Sequence, residues 1–190
     1  MSEVRTLNVG KDLKGMTVLK TDTGEKMGQI SDAIIHPVEG RLVGIVVRTP
    51  EGQERALATE YLLIGKDAVM ATERAQFMEN SLDGSPENGI PALGEVVGTN
   101  IVTEDGKLLG RVSEVHISLD VPRTAYRVNE STLQRFLGGG FLMAGDVPHA
   151  YSRDGVRMIV PEGAEERFAV GTFEEAFSTE PQGARRRMAG

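Results

Sequence analysis

Apolar positions in this chain fall in short runs, and Gly, Pro, Asp and Ser break the runs roughly every eight to twelve residues. The first half reads as strands at Met16–Thr21, Lys26–Ile35, Arg41–Arg48, Glu54–Leu63 and Ala68–Ala71. Arg41–Arg48 is the clearest, a β-branched run held between two arginines. Val4, Leu7 and Val9 alternate with polar residues and predict an edge strand at the N-terminus. Pro37–Gly40, Pro50–Gln53 and Gly65–Asp67 turn the chain between runs. Short strands with such punctuation predict a small closed or half-closed barrel.

One stretch occurs twice. Gly24–Ile35 returns as Gly106–Ile117 at an offset of 82 residues. Each copy has two glycines four apart, then an aliphatic residue, Ser, an acid and an apolar run. Thr21–Gly24 and Thr103–Gly106 supply the turn before each copy, with Asp-Gly in the second favouring a tight hairpin. The inner glycines, Gly28 and Gly110, fall inside a strand, where glycine marks a bulge, a bend or a close backbone approach. Bends of that kind let a small sheet curl.

Thr72–Leu82 changes period. Ala75, Phe77, Met78 and Leu82 have helical spacing with Thr72 as N-cap, which predicts a helix. Residues 81–91 are rich in Gly, Pro, Ser and Asn and predict a linker. The second unit repeats the hairpin and turns at Leu119–Arg123. Thr124–Val128, Phe141–Ala144 and Val156–Val160 follow as strands, the last after an Asp154-Gly155 turn. Ser131–Gln134 reads as a capping box opening a brief helix to Leu137, ended by Gly138–Gly140. The second unit thus departs from the first around residues 129–146. A second capping box, Thr172–Glu175, lies in Ala164–Phe177, where Phe168, Val170, Phe173 and Phe177 predict a packing element. The expected fold is mainly β: two small, strongly bent barrels in tandem with short helices, at 1–80 and 92–177, with a disordered tail at 178–190.

Composition adds boundaries. The 190 residues are 39% hydrophobic and 26% charged, ordinary for a globular chain, but only 5% aromatic, so the cores must be aliphatic. There is no cysteine, which excludes disulfides, thiolate nucleophiles and cysteine metal sites, and agrees with a cytoplasmic location. No apolar leader opens the chain, and no run approaches the roughly 20 apolar residues of a membrane span. The net charge is −7, spread over both halves. An acidic surface repels phosphate backbones, which argues against nucleic acid as a direct partner.

Candidate chemistry is sparse. His36, His116 and His149 have no two-histidine helical spacing and are not equivalent under the repeat, so no metal site is expected. Asp32 and Glu114 are repeat-equivalent acids, each following a serine. They could form a paired carboxylate site; the simpler reading has each accept hydrogen bonds that fix a bulged strand. Gly138–Gly140 lacks the Lys-Ser/Thr of a phosphate loop, and no Gly-x-Ser-x-Gly elbow is present. No catalytic residue and no cofactor are expected. The residues singled out, Gly24, Gly28, Asp32, Gly106, Gly110 and Glu114, are assigned to hairpin and bulge structure.

Gly15–Gly24, Glu25–Ile35 and Arg41–Arg48 together resemble the PRC-barrel domain, well over residues 13–72 and again over 95–161, more loosely beyond Ile117. That module occurs in the cytoplasmic part of the photosynthetic reaction centre H subunit and in the ribosome maturation factor RimM. The resemblance implies an interaction module rather than an enzyme, with a protein partner or self-association as a homo-oligomer. A RimM-like, ribosome-associated factor and a small-molecule or metal binder between the barrels are the alternatives. The H subunit has a membrane helix and RimM a different N-terminal barrel, so neither role transfers and no functional residue is carried over.

Overall fold

The computed structural model describes residues 5–36, 39–78, 96–121, 123–129, 140–152 and 157–177. The expected linker, the tail, the Ser131–Gln134 capping box, Val4, Leu82 and the Asp154-Gly155 turn lie outside the described residues. The protein is mainly β, with two sheets and a few short helices.

The first sheet holds β2 (Thr17–Lys20), β3 (Lys26–His36), β4 (Arg41–Arg48), β5 (Glu54–Ala58), β6 (Leu62–Ile64) and β7 (Ala68–Ala71) in the order β5-β4-β3-β2-β7-β6. β2 and β7 run parallel and the remaining pairs are antiparallel. The second sheet holds β8 (Asn100–Thr103), β9 (Leu108–Ser118), β10 (Thr124–Asn129), β11 (Gly140–Ala144), β12 (Ala150–Tyr151) and β13 (Arg157–Val160). Its order, β12-β13-β8-β9-β10-β11, repeats the first, with β8 and β13 again parallel. β14 (Ala169–Val170) extends it beyond β11.

The long strands carry the bending. β3 and β9 have nearly the same burial pattern over 11 residues each. Against β2, the register skips Met27, and against β8 it skips Leu109. On the other side it skips Ser31 opposite β4 and Ser113 opposite β10. Two bulges per long strand thus raise the local twist at matching places. The serines close the second bulge, Ser31 Oγ donating to Val46 O at 3.4 Å and Ser113 Oγ to Arg127 O at 3.1 Å.

Two local expectations are corrected. Glu54–Leu63 is not one strand: β5 ends at Ala58, a 3-10 turn covers Thr59–Tyr61, and β6 follows. Thr72–Met78 is not helical. Thr72 N donates to Tyr61 O and Met78 N to Ala56 O, so these two amides are held by the 3-10 turn and by β5. The apolar residues that mimicked a helix period, Ala75 and Phe77, pack on the core edge instead, with Arg55 Cζ 4.7 Å from the Phe77 ring centroid. Tertiary contacts override a weak local preference there.

The N-terminal strand is an edge strand, as the alternation predicts, but it joins the second sheet. β1 (Thr6–Asn8) pairs with β9, Leu7 opposite Ile117. Arg5 anchors it by a fork on Asp120, with Nη2 at 2.7 Å and Nε at 3.1 Å from Oδ1. A π-helical turn, Val9–Leu13, capped by Asn8 Oδ1, then returns the chain to β2. The interior is correspondingly shared: one cluster of buried aliphatics includes Val18, Ile45 and Val69 of the first sheet and Ile101, Val115 and Met158 of the second.

A glycine seam joins the sheets. Gly40 O accepts from Thr124 N at 2.8 Å and from its buried Oγ1 at 2.7 Å. Gly145 N in turn donates to Thr124 O at 2.9 Å. A β-carbon on Gly40 would stand inside contact distance of the Gly145 carbonyl, and one on Gly145 would press on Thr124 Oγ1.

Candidate functional site

The repeat-equivalent residues sit where the local chemistry directs them. Gly24 and Gly106 occupy the hairpin turns with φ of +69° and +89°. Gly28 and Gly110 lie inside β3 and β9 with φ of +151° and +156°. A β-carbon on Gly28 would collide with Arg48 O and lie 2.7 Å from Val47 Cγ1. One on Gly110 would collide with Asn129 O and lie 2.8 Å from Val128 Cγ1. Both glycines mark a close approach of neighbouring strands at a bulge.

Asp32 and Glu114 occupy matching bulges but have different surroundings. Asp32 Oδ1 accepts from Ala33 N at 2.8 Å. Glu114 is the centre of a charged cluster. Lys11 Nζ, from the π-helical turn, donates to its Oε1. Arg127 Nε donates to its Oε2 at 3.2 Å, and His116 Nε2 stands 3.1 Å from the same oxygen. The two acids do not come together as a paired carboxylate site: each stays on its own sheet.

These contacts set the protonation states. Lys11, then His116, hold the Glu114 carboxyl at about 2 against the upward push of burial. Burial lowers the His116 pKa, opposed by Glu114. At neutral pH Glu114 is therefore a carboxylate and His116 a neutral imidazole.

The C-terminal element roofs the cluster. After β13 come α1 (Ala164–Phe168), β14 and α2 (Phe173–Ala176). The Thr172–Glu175 capping box forms, with Glu175 N donating to Thr172 Oγ1 at 3.2 Å. It places Phe173 4.7 Å from the His116 ring and stacked on Phe177 at 5.9 Å. Beside Arg127 opens a groove of about 470 Å³, lined by Phe141, Leu142, Val170, Thr172, Phe173 and Glu174 among others. Its walls are mixed, with Phe141, Leu142, Val170 and Phe173 beside the Arg127 guanidinium, the Glu174 carboxylate and Thr172. A smaller hollow of about 280 Å³ lies between the sheets, lined by Arg41, Thr59, Ser118 and Arg123 among others.

Register shows what the first unit has at these places. Asp32 pairs with Val46 as Glu114 pairs with Arg127, so Val46 stands where the second unit has arginine. Ile34 stands where it has His116. Of the other histidines, His36 Nδ1 accepts from Glu39 N at 3.1 Å, and His149 Nδ1 donates to Val147 O at 2.6 Å. Among the described residues, no cluster of His, Asp and Glu has the makings of a metal site.

The sequence pattern does not single out Lys11 or Arg127, marks Phe173 only as part of a packing element, and does not tie His116 to Glu114. The signal available was the repeat itself, which sets His116 against Ile34.

The PRC-barrel domain family model matches residues 9–77. The first unit is a PRC-barrel domain. The match begins at the π-helical turn and ends in the strap after β7, so it spans the first sheet of the PRC-barrel unit whole. No curated protein sequence matches the chain. No helix among the described residues is long and apolar enough to cross a membrane.

Proposed function

We propose that the chain is a non-enzymatic adaptor of the cytoplasm, built from a PRC-barrel domain and a divergent second copy, and that the second copy carries the partner-binding face. The carrying observation is the replacement of Ile34 and Val46 by His116 and Arg127 around Glu114, with the groove of about 470 Å³ opening beside Arg127. A groove of that size with a few placed polar groups takes a side chain or short segment of a partner. The guanidinium favours a carboxylate or carbonyl, and Phe141 and Phe173 favour an apolar neighbour. The match of residues 9–77 to an interaction module supports the same reading.

The test is capture with the purified chain as bait, comparing the parent with Arg127→Ala and Phe173→Ala. A protein retained by the parent and lost by both variants is the expected result. Identical sets from all three baits, or no retained protein, sink the reading.

A further inference from the structure

Among the described residues, the most exposed large hydrophobic side chains are Leu63, Val97, Leu108 and Ile159. Leu108 and Ile159 belong to one row. Ile159 pairs with Val102, and Val102 with Leu108, so an apolar row crosses β13, β8 and β9 on the face turned away from the core. Ala150 of β12, opposite Ile159, extends it.

The rows on either side are charged, with opposite signs. Two residues toward the start of β8, the register sets Arg157, Asn100 and Arg111 side by side. Two residues the other way is Glu104, exposed, its N–H on Val160 O at 2.9 Å, followed by exposed Asp105 in the turn. Along the strands the face therefore runs basic, apolar, acidic. In the first sheet the row runs Leu63, Met70 and Leu19 but ends on Lys26 where the second has Leu108, and Ala68, Thr17 and Gln29 replace the basic row.

We propose that this face of the second sheet binds a second copy of the chain. A sequence of basic, apolar and acidic rows is self-complementary under a twofold axis lying along the apolar row. That axis sets Ile159, Val102 and Leu108 against themselves and brings Glu104 of each copy over Asn100 of the other, between its two arginines. Arg111 Nε donates to Gly98 O, so this guanidinium is held in place before association. Four strands about 4.8 Å apart and three rows about 7 Å apart make a patch roughly 20 Å across. A patch of that extent gives a weak, reversible dimer and not an obligate one. The surface uses other strands than the Arg127 groove and stands apart from the hetero-partner reading.

Sedimentation equilibrium of the full chain, up to about 1 mM, tests the proposal. The parent forms a concentration-dependent dimer. Leu108→Lys, at a side chain 49% exposed and so free to change without unfolding, weakens it at least about tenfold. Glu104→Arg, which sets arginine among arginines, weakens it likewise, and Glu104→Arg with Arg111→Glu recovers part of the loss. Arg127→Ala leaves the dimer in place. A parent that stays monomeric throughout, a dimer indifferent to Leu108→Lys, or one abolished by Arg127→Ala overturns the proposal.

Discussion

The two sheets share a strand order, a parallel closing pair and two bulges on the long strand, yet differ in what those positions carry. In the first unit the register places Ile34, Ile45, Val46 and Ile64. In the second, the same places hold His116, Tyr126, Arg127 and Tyr151. Tyr126 is fully buried, and burial pushes its hydroxyl up to about 12. Burial also raises Tyr151 and lowers His149, whose ring meets Tyr151 edge-on at 5.2 Å. The scaffold is thus set by bulges, glycines and apolar alternation, which both units keep. The polar differences sit on a core that the two sheets share.

The strongest way to break the comparison is at the parts both units share. Gly28→Val and Gly110→Val each force a β-carbon into a neighbouring strand at positive φ. Each costs about 4 kcal/mol and lowers the melting temperature by roughly 10 °C. Because the core is continuous, each shifts one common transition in calorimetry. A melt that splits in two shows the units are independent.

Next comes the seam. Gly145→Val drives a side chain into Thr124 Oγ1 and its carbonyl. It costs about 3 kcal/mol. Thr124→Val, which deletes the buried hydroxyl bond to Gly40 O, costs about 1–2 kcal/mol. Urea midpoints measure both, and parent-like midpoints would show the sheets do not lean on this joint.

The charged cluster sharpens the comparison through pH. Glu114 is held at about 2 in the fold against an ordinary 4.5, so its stabilisation is complete above that ordinary value and is lost as pH falls toward 2. The shift corresponds to about 3 kcal/mol, reduced to about 1–2 kcal/mol because Lys11 is 72% exposed and its charge is screened. Glu114→Gln flattens stability between roughly pH 5 and pH 2. An unchanged acid slope in urea titrations at stepped pH contradicts the cluster's role.

The smallest effect is His116→Ile, which gives the second unit the first unit's residue. Burial lowers the folded pKa of His116 below 6.5, so its share of stability is present above that value and lost as pH falls. The isoleucine variant loses less stability than the parent between pH 8 and pH 5. The buried His149 keeps the remaining loss. A parent-like drop assigns the whole acid response to other groups.

Turn chemistry and period are properties of neighbours in the chain, and the sequence by itself determined what depends on them. The hairpins at Gly24 and Gly106, the eight residues of β4 and the Thr172–Glu175 cap stand as the pattern predicts. So does the repetition of the long strands, because alternation and in-strand glycine report the pleat directly. Thr72–Met78 misled because its spacing is helical while its amides are claimed by Tyr61 and Ala56. What the tertiary structure alone decided involves partners far apart in sequence: Arg5 with Asp120 across 115 residues, Lys11 with Glu114 across 103, Thr124 with Gly40 across 84. A strand's period says which face is buried and not which sheet will receive it, so the crossing of β1 to β9 and the meeting of Lys11 with Glu114 wait on the packing of the two units.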